Sequence, residues 1–213
     1  YIAGELEKAV AAGKKVEDAA RELLPKIIKE HKRIIFNGNG YSKEWEIEAK
    51  KRGLLNLKNT VDALPQWASK EATALFEKYK VLNEREVHAR YEIMVETYNK
   101  VINVEGQLTV LMANRYVLPA ALEYAKQVGQ AVAAVKAGGG RTVEGKKLLD
   151  KVTKLTDEFK KRTDKLEAAL SHGAASAEKH AKHFRDAVVP AMVALRETSD
   201  ALEATVPHEL WPL

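Results

Sequence analysis

Apolar residues recur at helical spacing along most of the chain. The clearest stripe begins at Val87 and advances in alternating steps of four and three residues, with an interruption at Glu105. Such a stripe is typical of a long helix that packs against partners, and it can run to about Lys136 with a kink expected at Pro119, which has no N–H to donate. Its members are Val87, Tyr91, Met94, Tyr98, Val101, Leu108 and Met112.

Two more amphipathic helices are predicted after this one. Gly138-Gly139-Gly140 ends the long helix, Thr142 is a candidate N-cap for the next, and Ser171-His172-Gly173 marks a weak break before the last. Their apolar faces consist of Leu148, Val152, Leu155, Phe159, Leu166 and Leu170, and then of Ala181, Phe184, Val188, Met192, Leu195, Leu202 and Val206. Because short connections favour antiparallel neighbours, residues 83–213 are predicted to form an up-down bundle with both phenylalanines in one core.

The first third of the chain has shorter elements. Two helices are predicted within residues 1–35, with Pro25 either kinking the second or marking a first turn after a break. Residues 32–36 are short, apolar and β-branched, which fits a buried strand or a helix end equally well. Residues 37–40, Asn-Gly-Asn-Gly, predict a loop. Short helices are predicted at 43–52 after the cap Ser42, at 61–67 after Thr60 and at 70–79 after Ser69, while Asn83 and Glu86 suggest a capping box.

Composition supports an all-α fold of short irregular helices followed by a bundle of long ones. The 213 residues are 46% hydrophobic and 31% charged, with only 12 glycines and 6 prolines. The absence of cysteine excludes disulfides, thiolate metal sites and cysteine nucleophiles, and it suits a cytoplasmic protein. No uncharged run approaches the roughly 18 residues of a membrane span. The chain opens in mid-helix without a methionine, which predicts a proteolytic or cloned fragment of a longer protein.

Charge gives little support to a nucleic-acid partner. The 35 basic residues exceed the 30 acidic ones by five, but the two signs alternate along the chain, whereas nucleic-acid binders concentrate basic residues on one face. The basic stretch 160–162 has acidic residues on both sides and is predicted to be a solvated helix face. We therefore expect neither a nucleic-acid nor a membrane partner.

Candidate chemistry is sparse. Gly38-Asn39-Gly40 lacks the third glycine of a dinucleotide-binding loop and is predicted to be a structural turn. His172, His180 and His183 predict a solvated histidine face, because Glu178 is at the wrong spacing for a Glu-x-x-His ligand pair; whether the three bind a metal stays open. No catalytic, cofactor-binding or metal-binding residue is assigned. The three tryptophans, Trp45, Trp67 and Trp211, are expected in cores, with an interface role open.

Five stretches resemble, in the same order, those of one known enzyme family. They are residues 35–45, 51–54, 60–65, 88–93 and 208–213, and the first contains Asn37-Gly38-Asn39-Gly40-Tyr41-Ser42 followed by Trp45. Together they resemble the C-terminal part of type III glutamine synthetase, the large bacterial form. The resemblance covers nearly the whole chain, is dense from 31 to 123, and weakens through the glycine-rich linker and the last two long helices.

The resemblance carries several implications. Residues 1–82 would close the catalytic domain, and residues 83–213 would be a helical bundle specific to type III enzymes. The family joins ammonia to glutamate through a γ-glutamyl phosphate, using ATP and Mg²⁺ or Mn²⁺, and assembles as stacked hexameric rings. Its metal-ligand and phosphate-binding motifs lie upstream and match nothing here, so no catalytic residue is carried over. The remainder of the enzyme chain and other copies of it would be the partners.

Two classes of function stay open on the sequence. In the first, the chain is a structural or oligomer-forming C-terminal part of glutamine synthetase that is inactive alone. In the second, it is a stand-alone helical interaction module without enzymatic activity. The resemblance also implies that the apolar stripes around Leu23, Ile27 and Ile34 pack on a catalytic domain outside this chain. We expect them to be partly exposed here, or buried by a second copy.

Overall fold

The structure is a computed structural model that describes residues 1–212, and every regular element among them is a helix. This confirms the predicted all-α class. The α-helices are α1 (Ile2–Ala11), α2 (Val16–Glu30), α3 (Lys43–Lys51), α4 (Thr60–Trp67), α5 (Lys70–Lys78), α6 (Glu84–Met112), α7 (Leu118–Ala137), α8 (Val143–Leu170), α9 (Ala177–His183) and α10 (Val189–Glu203). No helix within 1–212 is long and apolar enough to cross a membrane.

The chain forms two compact units, of which the first is Tyr1–Lys58. Its helices α1 and α2 are the two predicted within residues 1–35. They pack on each other, and α2 continues through Pro25. Residues 32–36, for which the sequence was compatible with a strand or with a helix end, contain a 3₁₀ turn at Lys32–Ile34. Leu23 and Ile27 are half-buried, and Ile34 is exposed, in agreement with the expected partial exposure of these stripes.

The predicted asparagine–glycine loop is confirmed in the first unit. Asn39 Oδ1 accepts a hydrogen bond from the N–H of Tyr41 at 3.0 Å, which fixes a tight turn. Ser42 then caps α3, because its hydroxyl oxygen accepts the N–H of Trp45 at 3.4 Å. The helix ends before Gly53, whose φ of +73° is a left-handed conformation that favours glycine.

The second compact unit begins at Asn59. Its short helices α4 and α5 pack on the N-terminal part of α6. The predicted cap Thr60 was wrong by one position: Asn59 Oδ1 accepts the N–H of Asp62 at 2.9 Å, and Thr60 is the first residue of α4. An asparagine in extended conformation satisfies this otherwise unpaired donor, so the helix begins one residue earlier. Ser69 caps α5 as predicted.

The capping box at the start of α6 is confirmed. Asn83 Oδ1 accepts the N–H of Glu86 at 3.0 Å, and the Glu86 carboxylate accepts the N–H of Asn83 at 2.8 Å. Two donors that the helix itself leaves unpaired are thus satisfied. This reciprocal pair fixes where the longest helix of the chain begins.

Asn83→Ala is expected to lower the free energy of unfolding by about 1 kcal/mol, because alanine offers no acceptor to the N–H of Glu86. Urea denaturation followed by circular dichroism measures the loss. Asn83→Ser keeps an acceptor and should retain most of the stability. Equal losses in the two variants would show that the capping hydrogen bond is not the cause.

Helices α6 to α10 form the predicted antiparallel bundle. Helix α8 packs against both α7 and α10. The connection of α7 to α8 turns at Gly139, with φ of +78°, and Thr142 stands at the N-cap of α8 as predicted but makes no capping hydrogen bond through its side chain. His183 contacts Ala169, and Arg162 contacts Ala194, so α8 and the last helix run in opposite directions.

The core of the bundle lies where α8 meets α10 and the end of α6. Phe159 and Phe184 are each 1% exposed and belong to the same cluster of buried side chains, as predicted. Buried aliphatic side chains complete the cluster on each helix; among them are Leu166 of α8 and Leu195 and Leu202 of α10. A smaller cluster of Val61, Val95 and Ala181 joins α4 and α9 to α6.

The predicted seam of α6 was wrong in part. Val101 is 47% exposed and Leu108 is 52% exposed, whereas Asn99 and Gly106 are buried. A Cβ atom added at Gly106 would lie 2.7 Å from Leu170, so the absence of a side chain lets the end of α8 approach α6. The sequence pattern weighed only large apolar residues, whereas Gly106 and the polar Asn99 are also part of the buried face of α6.

Two π-helical segments interrupt the long helices where the sequence places proline. Ala113–Val117 joins α6 to α7 two residues before Pro119, and Phe184–Val188 joins α9 to α10 two residues before Pro190. Proline has no N–H, and its ring crowds the preceding turn, so a locally widened turn accommodates it without breaking the helix. The kink predicted at Pro119 corresponds in the structure to the first of these segments.

Candidate functional site

The three clustered histidines lie where α8 turns into α9. The rings of His172 and His183 are 4.3 Å apart, and His180 stacks on Phe184 at the same centroid distance. The Nε2–H of His183 donates to the carbonyl oxygen of Ala169 at 2.8 Å. His180 and His183 are half-buried, so the predicted solvated face is wrong for these two, and only His172 is exposed. They pack at the turn because the break in sequence brings them beside the end of α8.

Metal-binding geometry is not assembled around these histidines. Among residues 1–212, no group of three or more His, Asp or Glu side chains is placed so that it could hold a metal ion. His31, His88 and His208, which carried no pattern in the sequence, are exposed and lie on separate elements.

A small cavity is enclosed by α4, α6 and α9. Its volume is about 200 Å³, and its apolar wall includes Val61 and Val95. The Tyr91 hydroxyl donates to the Glu178 carboxylate at 2.8 Å at its edge. Burial, followed by this hydrogen bond, raises the pKa of Tyr91 to about 12. The pair leaves no pattern in the sequence, because its members are 87 positions apart.

Two arginines link helices that are distant in sequence. Arg185 pairs with Asp62 on α4 and with the neighbouring Asp186, and its hydrogen bond holds the pKa of Asp186 below its usual value. Arg162 bonds Glu158 at 2.7 Å and also reaches the carbonyl oxygen of Ala194 on α10. The prediction of a solvated face at 160–162 was therefore wrong for Arg162, which joins α8 to α10.

The tryptophans pack within the chain. Trp45 stacks on Phe36 with ring centroids 4.6 Å apart, and Trp67 lies against Phe76 at 4.9 Å. Trp211 packs on the core cluster of the bundle. All three are half-buried, which agrees with the expectation of core packing.

The first unit presents apolar side chains that it does not cover. Of its large apolar residues none is buried; the buried apolar side chains of the unit are Ala19 and Ala49. Leu24 and Ile28, one turn apart on α2, are each 54% exposed. Further exposed members are Ile2, Val10, Val16, Ile34, Ile35, Ile47, Leu55 and Leu57. So much uncovered apolar surface in a short segment is typical of a docking surface, and we call this set the unit-1 apolar surface.

Taken together, these features are suited to packing and docking. Of the carboxylates, Glu86 acts in a helix cap and Glu158 acts as an ion-pair partner of Arg162. The pKa of Tyr91 is clearly raised, and the Tyr91–Glu178 pair lies at the rim of a small apolar cavity. The strongest functional feature of the first unit is its exposed apolar surface.

The family was identified by comparison with known proteins. A family model of the glutamine synthetase C-terminal domain matches residues 19–136, more than half of the chain. Glutamine synthetase of Butyrivibrio fibrisolvens is 31% identical over 202 residues, which are 93% of this chain and 29% of that protein. Type-3 glutamine synthetase of Dictyostelium discoideum is 28% identical over 205 residues, covering 92% of this chain and 28% of that protein.

A third relative gives the same picture. Glutamine synthetase of Bacteroides fragilis (strain YCH46) is 24% identical over 216 residues, covering 98% of this chain and 30% of that protein. The chain thus spans about 30% of the length of the curated relatives that it matches. The resemblance seen in the sequence is confirmed, and the chain belongs to the glutamine synthetase C-terminal domain family.

Proposed function

We propose that the chain is the C-terminal, structural part of a glutamine synthetase, an enzyme that ligates ammonia to glutamate at the expense of ATP. The observation that carries the proposal is the unit-1 apolar surface, in a chain that matches only about 30% of the length of its relatives. Side chains such as Leu24 and Ile28 have no cover within this unit, and burying one fully contributes about 1.5–3 kcal/mol. The rest of the enzyme chain is the proposed cover.

ATP and Mg²⁺ or Mn²⁺ are proposed as cofactors of the whole enzyme. The proposal assigns their binding to the part of the enzyme outside this chain, because the metal-ligand and phosphate-binding motifs of the resemblance match no stretch here. No residue of this chain is proposed to be catalytic. Its contribution to the reaction is the packing that holds neighbouring parts of the enzyme in place.

The domain limits and the assembly also belong to the proposal. Residues 1–82 are proposed to close the catalytic domain and residues 83–213 to form a type III-specific bundle. This division follows the family resemblance. The compact units instead divide between Lys58 and Asn59, because α4 and α5 pack on α6 and therefore belong to the second unit. A homo-oligomer of stacked hexameric rings in the cytoplasm is the proposed assembly, as the resemblance implies.

The purified chain is expected to form no glutamine from glutamate, ammonia and ATP, because it is proposed to lack the phosphate- and metal-binding set. Release of ADP and formation of glutamine are measured with Mg²⁺ and with Mn²⁺, beside the complete Butyrivibrio fibrisolvens enzyme as a positive control. Metal-dependent turnover by the chain alone would overturn the structural assignment.

The open reading frame upstream of Tyr1 separates the proposal from the stand-alone module. The proposal expects in-frame sequence that encodes the rest of a glutamine synthetase, and an intact mass of the source protein to match. In that full-length protein, Leu24→Asp with Ile28→Asp should impair assembly, whereas Lys29→Asp on the same helix should not. A source protein near the mass of this chain, starting with its own Met close to Tyr1, would favour the stand-alone module.

A further inference from the structure

A long apolar groove runs along the bundle of the second unit. It lies between the end of α6 with the following π segment on one side and α10 on the other, and its volume is about 580 Å³. Phe159 of α8 contributes to its lining, together with Met112, Val117, Met192, Val193 and Trp211. The groove exists because α8 packs against both α7 and α10, whereas α6 and α10 touch each other only sparsely.

The residues that line the groove recur at helical spacing on two helices that lie side by side. On α6 the lining residues include Ile102, Glu105, Thr109 and Met112, at steps of three and four, and on α10 Met192, Arg196, Ser199 and Glu203 follow the same steps. The stretch from Ile102 to Val117 spans about 22 Å at 1.5 Å per residue. An elongated apolar channel between two helices accommodates a third helix, which would complete a four-helix arrangement.

The walls of the groove are acidic, although the chain as a whole carries a net charge of +5. Glu105 stands on the α6 side, and Asp200 and Glu203 stand on the α10 side. Arg196 is the basic residue of the lining, and it pairs with Asp200 at 3.7 Å. Acidic residues on both walls favour an occupant with basic residues on both flanks of its apolar stripe.

Methionine in the lining also favours a bound helix. Met112 and Met192 are two of the three methionines of the chain, and flexible thioether side chains are common in grooves that adapt to helices.

We propose that this groove binds an amphipathic helix of a partner, with an apolar stripe flanked by lysine or arginine residues. The bundle of a second copy of this chain is a poor source of that helix. The lysine-rich helix of the bundle is α8, and its apolar face, with Val152, Phe159 and Leu166, is already buried. The proposal goes beyond the structural role proposed above and does not depend on it, since the groove is formed within the second unit alone.

The test uses the 213-residue chain and two synthetic peptides of about 15 residues, the length that fills the groove. Both have leucine on one face; one carries lysine and the other glutamate on the flanks. Trp211 reports binding by fluorescence after Trp45→Phe and Trp67→Phe remove the other two indoles. At ~150 mM salt, the lysine peptide should shift the Trp211 emission and bind at least about tenfold tighter than the glutamate peptide.

Two surface variants locate the binding. Val193 lines the groove and is 55% exposed, so Val193→Lys should weaken binding of the lysine peptide by about tenfold or more without touching the core. Val104 is 62% exposed on α6 outside the groove, and Val104→Lys is the matched control, expected to leave binding unchanged. Glu105→Lys with Glu203→Lys should invert the preference between the peptides.

Several results would overturn the proposal. Equal binding of both peptides, equal effects of the two lysine variants, or no binding would show that the groove does not recognise a basic helix. A dimer of the free chain in sedimentation that Val193→Lys dissociates would assign the groove to a second copy instead. The enzyme assays described above are unaffected by any of these outcomes, so the two proposals fail separately.

Discussion

Replacing Phe184 with alanine is expected to lower the free energy of unfolding by about 3–5 kcal/mol, the cost of large-to-small aromatic substitutions in a core. Phe184 is 1% exposed, and it shares the central cluster with Phe159 and Leu195. Removing its ring leaves a cavity between α8 and the last helix, and His180 loses the ring on which it stacks.

Urea denaturation followed by Trp211 fluorescence measures this loss, because Trp211 packs on the same cluster. Val193→Ala is the matched control: it lies on the next helix, α10, but is exposed, and surface substitutions of this kind usually stay within about 0.5 kcal/mol. A loss below about 1 kcal/mol for Phe184→Ala would mean that the core relaxes around the vacancy or is not the determinant of stability.

The parts of the fold that the sequence predicted depend on local chemistry. Ser42, Ser69 and Asn83 cap their helices because a short polar side chain can reach an unpaired N–H three residues ahead, whatever the helix later packs against. Phe159 and Phe184 could be assigned to one core because two amphipathic faces joined by a short connection have to meet. Local rules and binary patterning were sufficient for both.

The wrong predictions depend on the partner that a helix meets. The predicted seam of α6 included Val101 and Leu108, which are exposed, and it missed Gly106, where Leu170 of α8 approaches α6. A pattern of large apolar residues cannot reveal a contact made by the absence of a side chain. The π segments are similar, because proline indicates a disturbance of the helix but not whether it bends, breaks or widens.

The candidate sites were harder to predict than the fold. Tyr91 and Glu178, and Arg185 and Asp62, are brought together by packing of α4 and α9 on α6, over sequence separations that carry no pattern. The sequence shows that the three histidines are close together. It does not show their burial, because burial depends on Ala169 and Phe184 lying beside them. By contrast, partial exposure of the stripes around Leu23, Ile27 and Ile34 was expected, because the resemblance implies that they pack on a part of the enzyme outside this chain.

The two units should differ sharply in amide hydrogen exchange. Residues 84–205 contain the central cluster, so their slowest amides should exchange only through global unfolding and be protected by a factor of about 10³ or more. Before residue 60 the buried apolar side chains are those of Ala19 and Ala49. Because so little apolar surface is buried there, these helices should open locally and their amides should exchange fast.

Mass spectrometry of peptides after timed exchange measures the contrast, and sedimentation on the same sample establishes whether the chain is a monomer. Strong protection of 84–205 with weak protection before 60 supports an uncovered first unit. Protection before 60 that appears only in a dimer assigns the cover of Leu24 and Ile28 to a second copy, and protection that appears only in the full-length enzyme assigns it to the rest of that chain. Uniform protection in a strict monomer would instead show that the first unit is stable by itself, which the exposure of its apolar residues makes the least expected result.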